Sequence, residues 1–281
     1  MGRLELGAQT LPYRAYPFDR ALDGIARAGF RYVGIWNDHA DGPVAPETAT
    51  AGDLETVRLQ IERHGLTPRM AFRFRGAGDD PESQLRRTIE VASALGIAFV
   101  ISAGPSPYAG RTFGEHKRDM LFHREAEAYF ATLRRLAPVA EQAAVTIVCK
   151  PHMGVTGTGQ DLADLVELID HPNVKVCYDA GNIAFYEGLK PEEDVQACAR
   201  HVRAVCIKDH RGPRASVDFP VPGTGDVDHA AVFRTLLDAG FSGPCLVERI
   251  DGLTSAEEVD AALERARIYL EQAAKVAGGA E

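Results

Sequence analysis

Eight short apolar segments alternate with amphipathic stretches along the chain. The apolar runs have the length of strands, and the later ones are nearly continuous, as in parallel strands covered on both faces. We predict strands at Leu4–Thr10, Tyr32–Trp36, Thr67–Phe74, Ile97–Ala103, Val145–Lys150, Val174–Tyr178, Val202–Ile207 and Pro244–Ile250. The amphipathic stretches predict helices at Phe18–Ala28, Ala51–His64, Pro81–Leu95, His116–Ala143, Gln160–Ile169, Pro191–Arg200, His229–Ala239 and Ser255–Lys275. Eight strand–helix units in 281 residues indicate an α/β protein, a single (β/α)₈ barrel domain over residues 1–281.

Charge and cysteine content narrow the class of protein. The formal net charge is −9, whereas nucleic-acid binders usually show a basic footprint. The five cysteines are odd in number and include no C-x-x-C pair, which favours reduced thiols over a disulfide framework or a zinc knuckle. The N-terminus shows no signal-peptide pattern, and no apolar run reaches the roughly 18 residues of a membrane span. We therefore expect a cytoplasmic protein that binds neither nucleic acid nor a membrane.

Polar side chains collect at the predicted carboxyl ends of the strands. In a (β/α)₈ barrel these ends meet at one mouth, where the reacting groups lie. The residues placed there are Gln9, Thr10, Trp36, Asn37, Asp38, His39, Arg73, Arg75, Lys150, His152, Asp179, Asn182, Cys206, Lys208, Asp209, Glu248 and Arg249. So many ionisable groups at one mouth predict a site for a polar molecule.

Three of these charges follow strongly apolar strands. Lys150, Asp179 and Glu248 are costly to bury unless they pair with each other or serve a site. Other residues keep a structural alternative. Trp36 either closes the core or lines the site, and Arg73 either binds a phosphate or carboxylate or pairs with an acid at the rim.

The longest irregular segment, His210–Asp228, follows the seventh predicted strand. A loop of this length inside a compact domain is usually functional. Together with Lys208, its residues Arg211 and Arg214 are candidates to bind a phosphate or a carboxylate. The alternative is a solvated basic loop.

The chain resembles the xylose-isomerase-like TIM barrels in five later segments: VTIVCKPHMG, HPNVKVCYDAGN, HVRAVCIKDH, PGTGDVDHAAVF and FSGPCLVE. The first half is similar through LGAQTLPYRAYPFDRALDGIARAGFRYVGI, so the resemblance covers essentially the whole chain. This superfamily includes sugar phosphate isomerases and epimerases, D-tagatose 3-epimerase, inosose dehydratase and, more distantly, endonuclease IV. The segments are specific for the superfamily and not for a substrate.

The resemblance also implies a metal site that this chain has changed. Relatives commonly hold one divalent cation (Mn, Mg, Zn or Co) through a Glu on the fifth strand, an Asp on the sixth, a His on the seventh and a Glu on the eighth. Asp179 and Glu248 keep two of these positions. Lys150 and Cys206 replace the other two, while His152 keeps the His of a Glu-x-His pattern. The sequence itself therefore requires no cofactor.

The change at Lys150 leads to a hypothesis about chemistry. A protonated Lys150 repels a cation, so its ammonium would replace the metal beside Asp179 and stabilise a developing enediolate. A neutral Lys150 would instead form a Schiff base with a keto sugar. Glu248 is the candidate base for a carbon-bound proton. His152 is a candidate proton shuttle, or a ligand in a shifted metal site of His152, Asp179 and Glu248.

The expected partner is a small sugar or polyol. Asn182 matches a position that often contacts substrate hydroxyls in relatives. The candidate substrate-binding residues are Asn182, Lys208, Arg211, Arg214, Trp36 and Arg73. Relatives often form homo-oligomers, which the resemblance extends to this chain as an expectation.

Four functions compete. The first is a sugar or sugar-phosphate isomerase or epimerase that abstracts a proton next to a carbonyl. The second is a dehydratase or lyase on a keto sugar or keto-cyclitol, which uses the same abstraction. The third is a non-catalytic sugar-binding barrel, since changed metal ligands can accompany lost activity. DNA repair of the endonuclease IV kind needs several zinc ions and more His and acidic ligands than these strand ends offer.

Overall fold

Eight parallel strands hydrogen-bond in a closed ring in the computed structural model, which describes residues 2–72, 74, 80–104, 120–152 and 154–278. The strands are β1 Arg3–Gln9, β2 Tyr32–Ile35, β3 Thr67–Ala71, β4 Phe99–Ala103, β5 Thr146–Lys150, β6 Val174–Tyr178, β7 Val202–Ile207 and β8 Ser242–Val247. They pair in chain order, and β1 closes the ring against β8 with Arg3 opposite Ser242 and Ala8 opposite Val247. The predicted (β/α)₈ barrel is confirmed.

Helices cover the outside of the ring. They are α1 Phe18–Arg27, α2 Ala51–Arg63, α3 Pro81–Ala94, α4 Met120–Gln142, α5 Gly159–Ile169, α6 Pro191–Asp194, α7 His229–Asp238 and α8 Ala256–Val276. Local sequence fixes three of their starts, since Thr50, Thr158 and Ser255 each form a capping box with the acid three residues later. Among the helices of the described segments, none is long and apolar enough to cross a membrane.

The sixth predicted helix is shorter than its sequence pattern indicates. Beyond α6 the chain continues only as 3₁₀ turns. The Asp194 carboxylate turns inward at this point and accepts bonds from the Gly159 N–H and the Tyr178 hydroxyl, each at 3.0 Å. These tertiary bonds hold the chain where the α-helix ends.

The barrel interior contains a small apolar layer, separate from the larger core between strands and helices. Its buried members are Met70, Ile101, Val148, Cys177, Ala204, Cys206 and Leu246. All five cysteines of the chain are buried and unbridged. The thiols therefore pack as small apolar groups, as the sequence predicts.

Candidate active site

In four strands, the inward-pointing side chains change from apolar to charged at the carboxyl end, where the strand reaches the barrel mouth. Successive side chains of a strand point to opposite faces, so the residue two positions beyond an interior one also points inward. Val148, Cys177, Cys206 and Leu246 of the apolar layer are followed in this way by Lys150, Asp179, Lys208 and Glu248. We call these four charged side chains the ion layer. The exposed fractions of the four residues lie between 0% and 5%.

Two ammonium groups and two carboxylates interlock in the ion layer. Lys150 Nζ lies 2.9 Å from Asp179 Oδ2 and 2.7 Å from Glu248 Oε2. Lys208 Nζ lies 3.0 Å from Glu248 Oε1 and 3.3 Å from Asp179 Oδ2. The formal charges of the four groups cancel, so each buried ion has an opposite partner. Sequence analysis anticipated the trio of Lys150, Asp179 and Glu248 and named Lys208 as a substrate-binding candidate outside that trio.

The two ammonium groups differ in the kind of partner they have. An ammonium carries three N–H groups. Lys208 has an uncharged partner besides the two carboxylates, because it also donates to Asn182 Oδ1 at 2.9 Å. Within the described part of the chain, Lys150 Nζ has three carboxylate oxygens within 3 Å, one of Asp179 and both of Glu248. Lys150 and Lys208 both line the mouth cavity, so a ligand oxygen there would compete with Glu248 for an N–H group of Lys150.

Asn182 ties the ends of three strands together rather than standing free in the cavity. Its backbone N–H donates to Asp179 Oδ1 at 2.9 Å, and its side-chain amide donates to the Pro151 carbonyl at 2.7 Å. Gly181 is needed in this turn, because a Cβ there would lie 2.8 Å from the Lys208 carbonyl oxygen. Asn182 also lines the cavity, so it can contact a bound ligand.

The surroundings hold the ion layer in its charged form. Burial alone would lower the pKa of Lys150, but attraction to Asp179 and Glu248 outweighs burial and raises this pKa well above its usual value. Burial alone would raise the pKa of Glu248, but Lys150 and Lys208 together hold it well below its usual range. A charged Lys150 is a hydrogen-bond donor and not an amine nucleophile, which argues against the Schiff-base hypothesis.

The ion layer does not fit the divalent cation that the fold family implies. Asp179, Cys206 and Glu248 offer ligand atoms within 4.8 Å of one another, which is the spacing of a metal cluster. However, the Lys150 ammonium lies within 3 Å of both carboxylates, where a cation would meet its charge. Burial also raises the pKa of the Cys206 thiol well above its usual value, whereas a metal binds the thiolate. Sequence analysis gave a shifted site of His152, Asp179 and Glu248 as an alternative, whereas the cluster found among the described residues contains Cys206 in place of His152.

His152 lies beside the ion layer and pairs with an aromatic side chain that sequence analysis did not single out. Its Nε2 atom lies 3.0 Å from the Tyr186 hydroxyl, and the two ring centroids are 4.7 Å apart. Burial, together with the nearby Lys150 and Lys208, lowers the pKa of His152 to about 4, so the ring is neutral at neutral pH. Its Nδ1 atom is buried without a hydrogen-bond partner among the described residues.

Aromatic side chains wall the mouth above the ion layer. The cavity has a volume of about 1620 Å³. Trp36 and Phe72 form one wall with ring centroids 5.5 Å apart, and Lys150 Nζ lies 5.5 Å from the Phe72 ring. Phe219 stands near Lys208, at 5.6 Å from its Nζ. Trp36 is half-buried and lines the cavity, so its position agrees with the prediction that it lines the site.

The predicted basic residues of the long loop do not line the cavity. Arg211 donates to the Thr224 carbonyl at 2.5 Å, and Arg214 donates to the Tyr186 carbonyl at 2.8 Å. Both guanidinium groups therefore bond within the protein. Arg73, the third predicted basic residue, lies outside the described residues.

Asp209 shapes the same loop from its buried position at the end of β7. Its carboxylate accepts backbone N–H groups from His210 at 2.9 Å, Gly223 at 2.8 Å, Gly225 at 2.9 Å and Val227 at 3.1 Å. Sequence analysis placed Asp209 among the charges of the mouth. In the structure, the Asp209 carboxylate instead stabilises the loop through these four backbone hydrogen bonds.

Comparison with known proteins agrees with the fold. Residues 22–271 match the family model described as xylose isomerase-like TIM barrel. An inosose dehydratase of Geobacillus kaustophilus is 26% identical over 223 residues, covering 70% of this chain and 71% of that protein. An inosose dehydratase of Clostridium botulinum (strain Eklund 17B / Type B) is 25% identical over 288 residues, covering 92% and 90%.

Among solved structures, a D-allulose 3-epimerase from Methylomonas sp. in complex with D-allulose superposes with a TM-score of 0.71. The two sequences are 20% identical, and the superposition covers 97% of this chain and 98% of the epimerase. At this identity the similarity supports a shared fold only. The family match spans most of the chain, from α1 to α8. The chain belongs to the xylose isomerase-like TIM barrel family.

Proposed function

We propose that this chain is an enzyme that removes a carbon-bound proton next to the carbonyl of a keto sugar or keto-cyclitol. The observation that carries the proposal is the ion layer at the barrel mouth. A cavity lined by an ammonium group beside two carboxylates has the parts needed to enolise a ketone: a donor for the oxygen and an acceptor for the proton.

Lys150 stabilises the negative charge that develops on the carbonyl oxygen. One of its N–H groups turns from Glu248 to this oxygen, and the interaction strengthens as the oxygen becomes an enolate. Lys150 thus takes the position that a divalent cation holds in relatives. The ion layer is buried, and the low effective dielectric constant of a buried position increases the effect of this charge.

Glu248 accepts the carbon-bound proton. In the free protein its carboxylate is neutralised by Lys150 and Lys208, which makes it a weak base. A substrate oxygen that draws Lys150 toward itself reduces this stabilisation, and burial then favours the protonated carboxyl. Substrate binding therefore raises the proton affinity of Glu248 at the moment it is needed.

Two outcomes follow from the same enolate. Return of the proton to the opposite face of the same carbon gives epimerisation, and protonation of the former carbonyl carbon gives isomerisation; these are the outcomes favoured by sequence analysis. Loss of a neighbouring hydroxyl gives dehydration. The similarity to two inosose dehydratases over 70% and 92% of the chain favours dehydration as the second candidate.

Proton exchange in D₂O tests the proposal. Inosose and D-allulose are incubated with the protein, and deuterium incorporation next to the carbonyl is followed by NMR. We expect exchange with at least one of them, and a loss of about 100-fold to 1,000-fold in Lys150→Met, the size typical of losing an oxyanion donor. Binding of a ketose without exchange would instead identify a sugar-binding barrel without catalysis.

A further inference from the structure

A π-helical turn brings Tyr186 to the edge of the ion layer. Residues Ile183–Glu187 form the turn, which ends at Gly188 with a φ of 66°. Such turns are rare and occur frequently at functional sites. This turn places the Tyr186 hydroxyl 3.0 Å from His152 Nε2, and both side chains line the mouth cavity.

The loop after β7 stabilises this turn through hydrogen bonds to two of its backbone carbonyl groups. Arg214 Nε donates to the Tyr186 carbonyl at 2.8 Å, and the Ala215 N–H donates to the Phe185 carbonyl at 2.8 Å. The Phe185 ring packs against Phe219, with centroids 5.2 Å apart. The tyrosine hydroxyl is therefore fixed by its own backbone, by Arg214 and by His152.

We propose that Tyr186 gives its proton to the hydroxyl group that leaves the substrate, which makes the reaction a dehydration. This step rests on the proposed enolisation. Glu248 takes the proton from the carbon next to the carbonyl (the α-carbon), and a double bond forms between the α-carbon and the hydroxyl-bearing carbon beyond it (the β-carbon). The bond between the β-carbon and its hydroxyl oxygen breaks, and this hydroxyl takes the Tyr186 proton and leaves as water. The reaction is redox-neutral, and the proton on Glu248 returns to Tyr186 through solvent.

The acidity of a phenol suits this role. A tyrosine hydroxyl has a reference pKa of about 10, whereas water has one of about 15.7, so proton transfer to a departing hydroxide is downhill. Burial raises the pKa of Tyr186, which keeps its proton in place at neutral pH. The neutral His152 ring then holds the phenol in position and hydrogen-bonds to the phenolate that forms.

Arg214 acts as a positioning residue in this arrangement, because its guanidinium contacts the Tyr186 backbone and does not line the cavity. Arg214→Ala should lower water loss relative to proton exchange. Arg214→Lys, which keeps a donor, should restore part of this ratio. A merely structural role would lower both rates equally.

The test separates the two steps in one reaction. Wild type and Tyr186→Phe are incubated with inosose in D₂O, and proton exchange and water loss are measured together by NMR and by the absorbance of the unsaturated product. We expect water loss in wild type. In Tyr186→Phe, water loss should fall about 100-fold, as for loss of a general acid, with only a several-fold fall in exchange.

Tyr269→Phe is the matched control, since Tyr269 forms a second tyrosine–histidine pair, with His229 at 3.4 Å, away from the cavity. It should retain both rates, and thermal unfolding should show that both variants fold. Equal water loss in wild type and Tyr186→Phe, or exchange without water loss in wild type, would overturn the role of Tyr186. Absence of both exchange and water loss in wild type would overturn the proposed function itself.

Discussion

At the scale of single residues, the identity of one side chain decides which chemistry the barrel mouth supports. Lys150 stands where the family pattern has a glutamate, and its ammonium lies within 3 Å of Asp179 and Glu248. Sequence analysis could foresee this contact because strand ends converge in such a barrel. It named Lys208 as a substrate-binding candidate, although the same alternation from Cys206 places Lys208 in the ion layer. It could not foresee the contact between His152 and Tyr186, because that contact depends on the π-helical turn beyond β6.

Removing one ion from the ion layer should cost more stability than removing an opposite pair. Glu248→Gln leaves two buried ammonium groups with one carboxylate, and we expect a loss of about 3 to 5 kcal/mol in the free energy of unfolding. Adding Lys150→Met to it should recover part of that loss. Urea denaturation of both single variants and the double variant measures the coupling. Additive losses would contradict the interlocked network.

The pKa shifts of the ion layer give the stability a defined pH window. The lowered pKa of Glu248 contributes stability above its unfolded value of about 4.3, which is lost as the pH falls below that value. The raised pKa of Lys150 contributes stability below about 10.4, which is lost as the pH rises through its folded value. Burial also lowers the pKa of His152 to about 4 and raises the pKa of Cys149 to about 12, so denaturant unfolding of wild type should show its plateau between their unfolded values of about 6.5 and 8.5. Lys150→Met should lose the alkaline fall that Lys150 causes.

At the scale of elements, alternation of apolar and amphipathic segments predicted the barrel strands and most helices, and tertiary bonds explain the exceptions. The sixth helix ends early where Asp194 turns inward to Gly159 and Tyr178. The long loop after β7 was predicted to be functional through its arginines. Instead, its arginines bond within the protein, and the loop supports the turn that carries Tyr186.

Asp209→Ala should release this loop without opening the barrel. Four backbone N–H groups lose their shared acceptor, and bonds to a charged group contribute about 1.5 to 3 kcal/mol each. We expect faster amide hydrogen exchange at Gly223, Gly225 and Val227, with unchanged exchange in β5 and β6. Mass spectrometry resolves these segments. Unchanged protection in the loop would show that other contacts suffice.

At the scale of the whole molecule, the barrel brings together residues that are far apart in the sequence. Lys150 and Glu248 are separated by 98 positions and still share a hydrogen bond of 2.9 Å. The family match explains the frame of the barrel, and the ion layer lies where the resemblance implies a cation in relatives. We propose that an ammonium stands there in the place of a metal.

Metal content tests this claim most directly. Wild type, Lys150→Glu and the matched neutral control Lys150→Gln are dialysed against Mn²⁺ and Zn²⁺, and bound metal is measured by elemental analysis. We expect about one equivalent in Lys150→Glu, which adds a third carboxylate to Asp179 and Glu248, and none in wild type or Lys150→Gln. One tightly bound equivalent in wild type would contradict the replacement of the metal by Lys150.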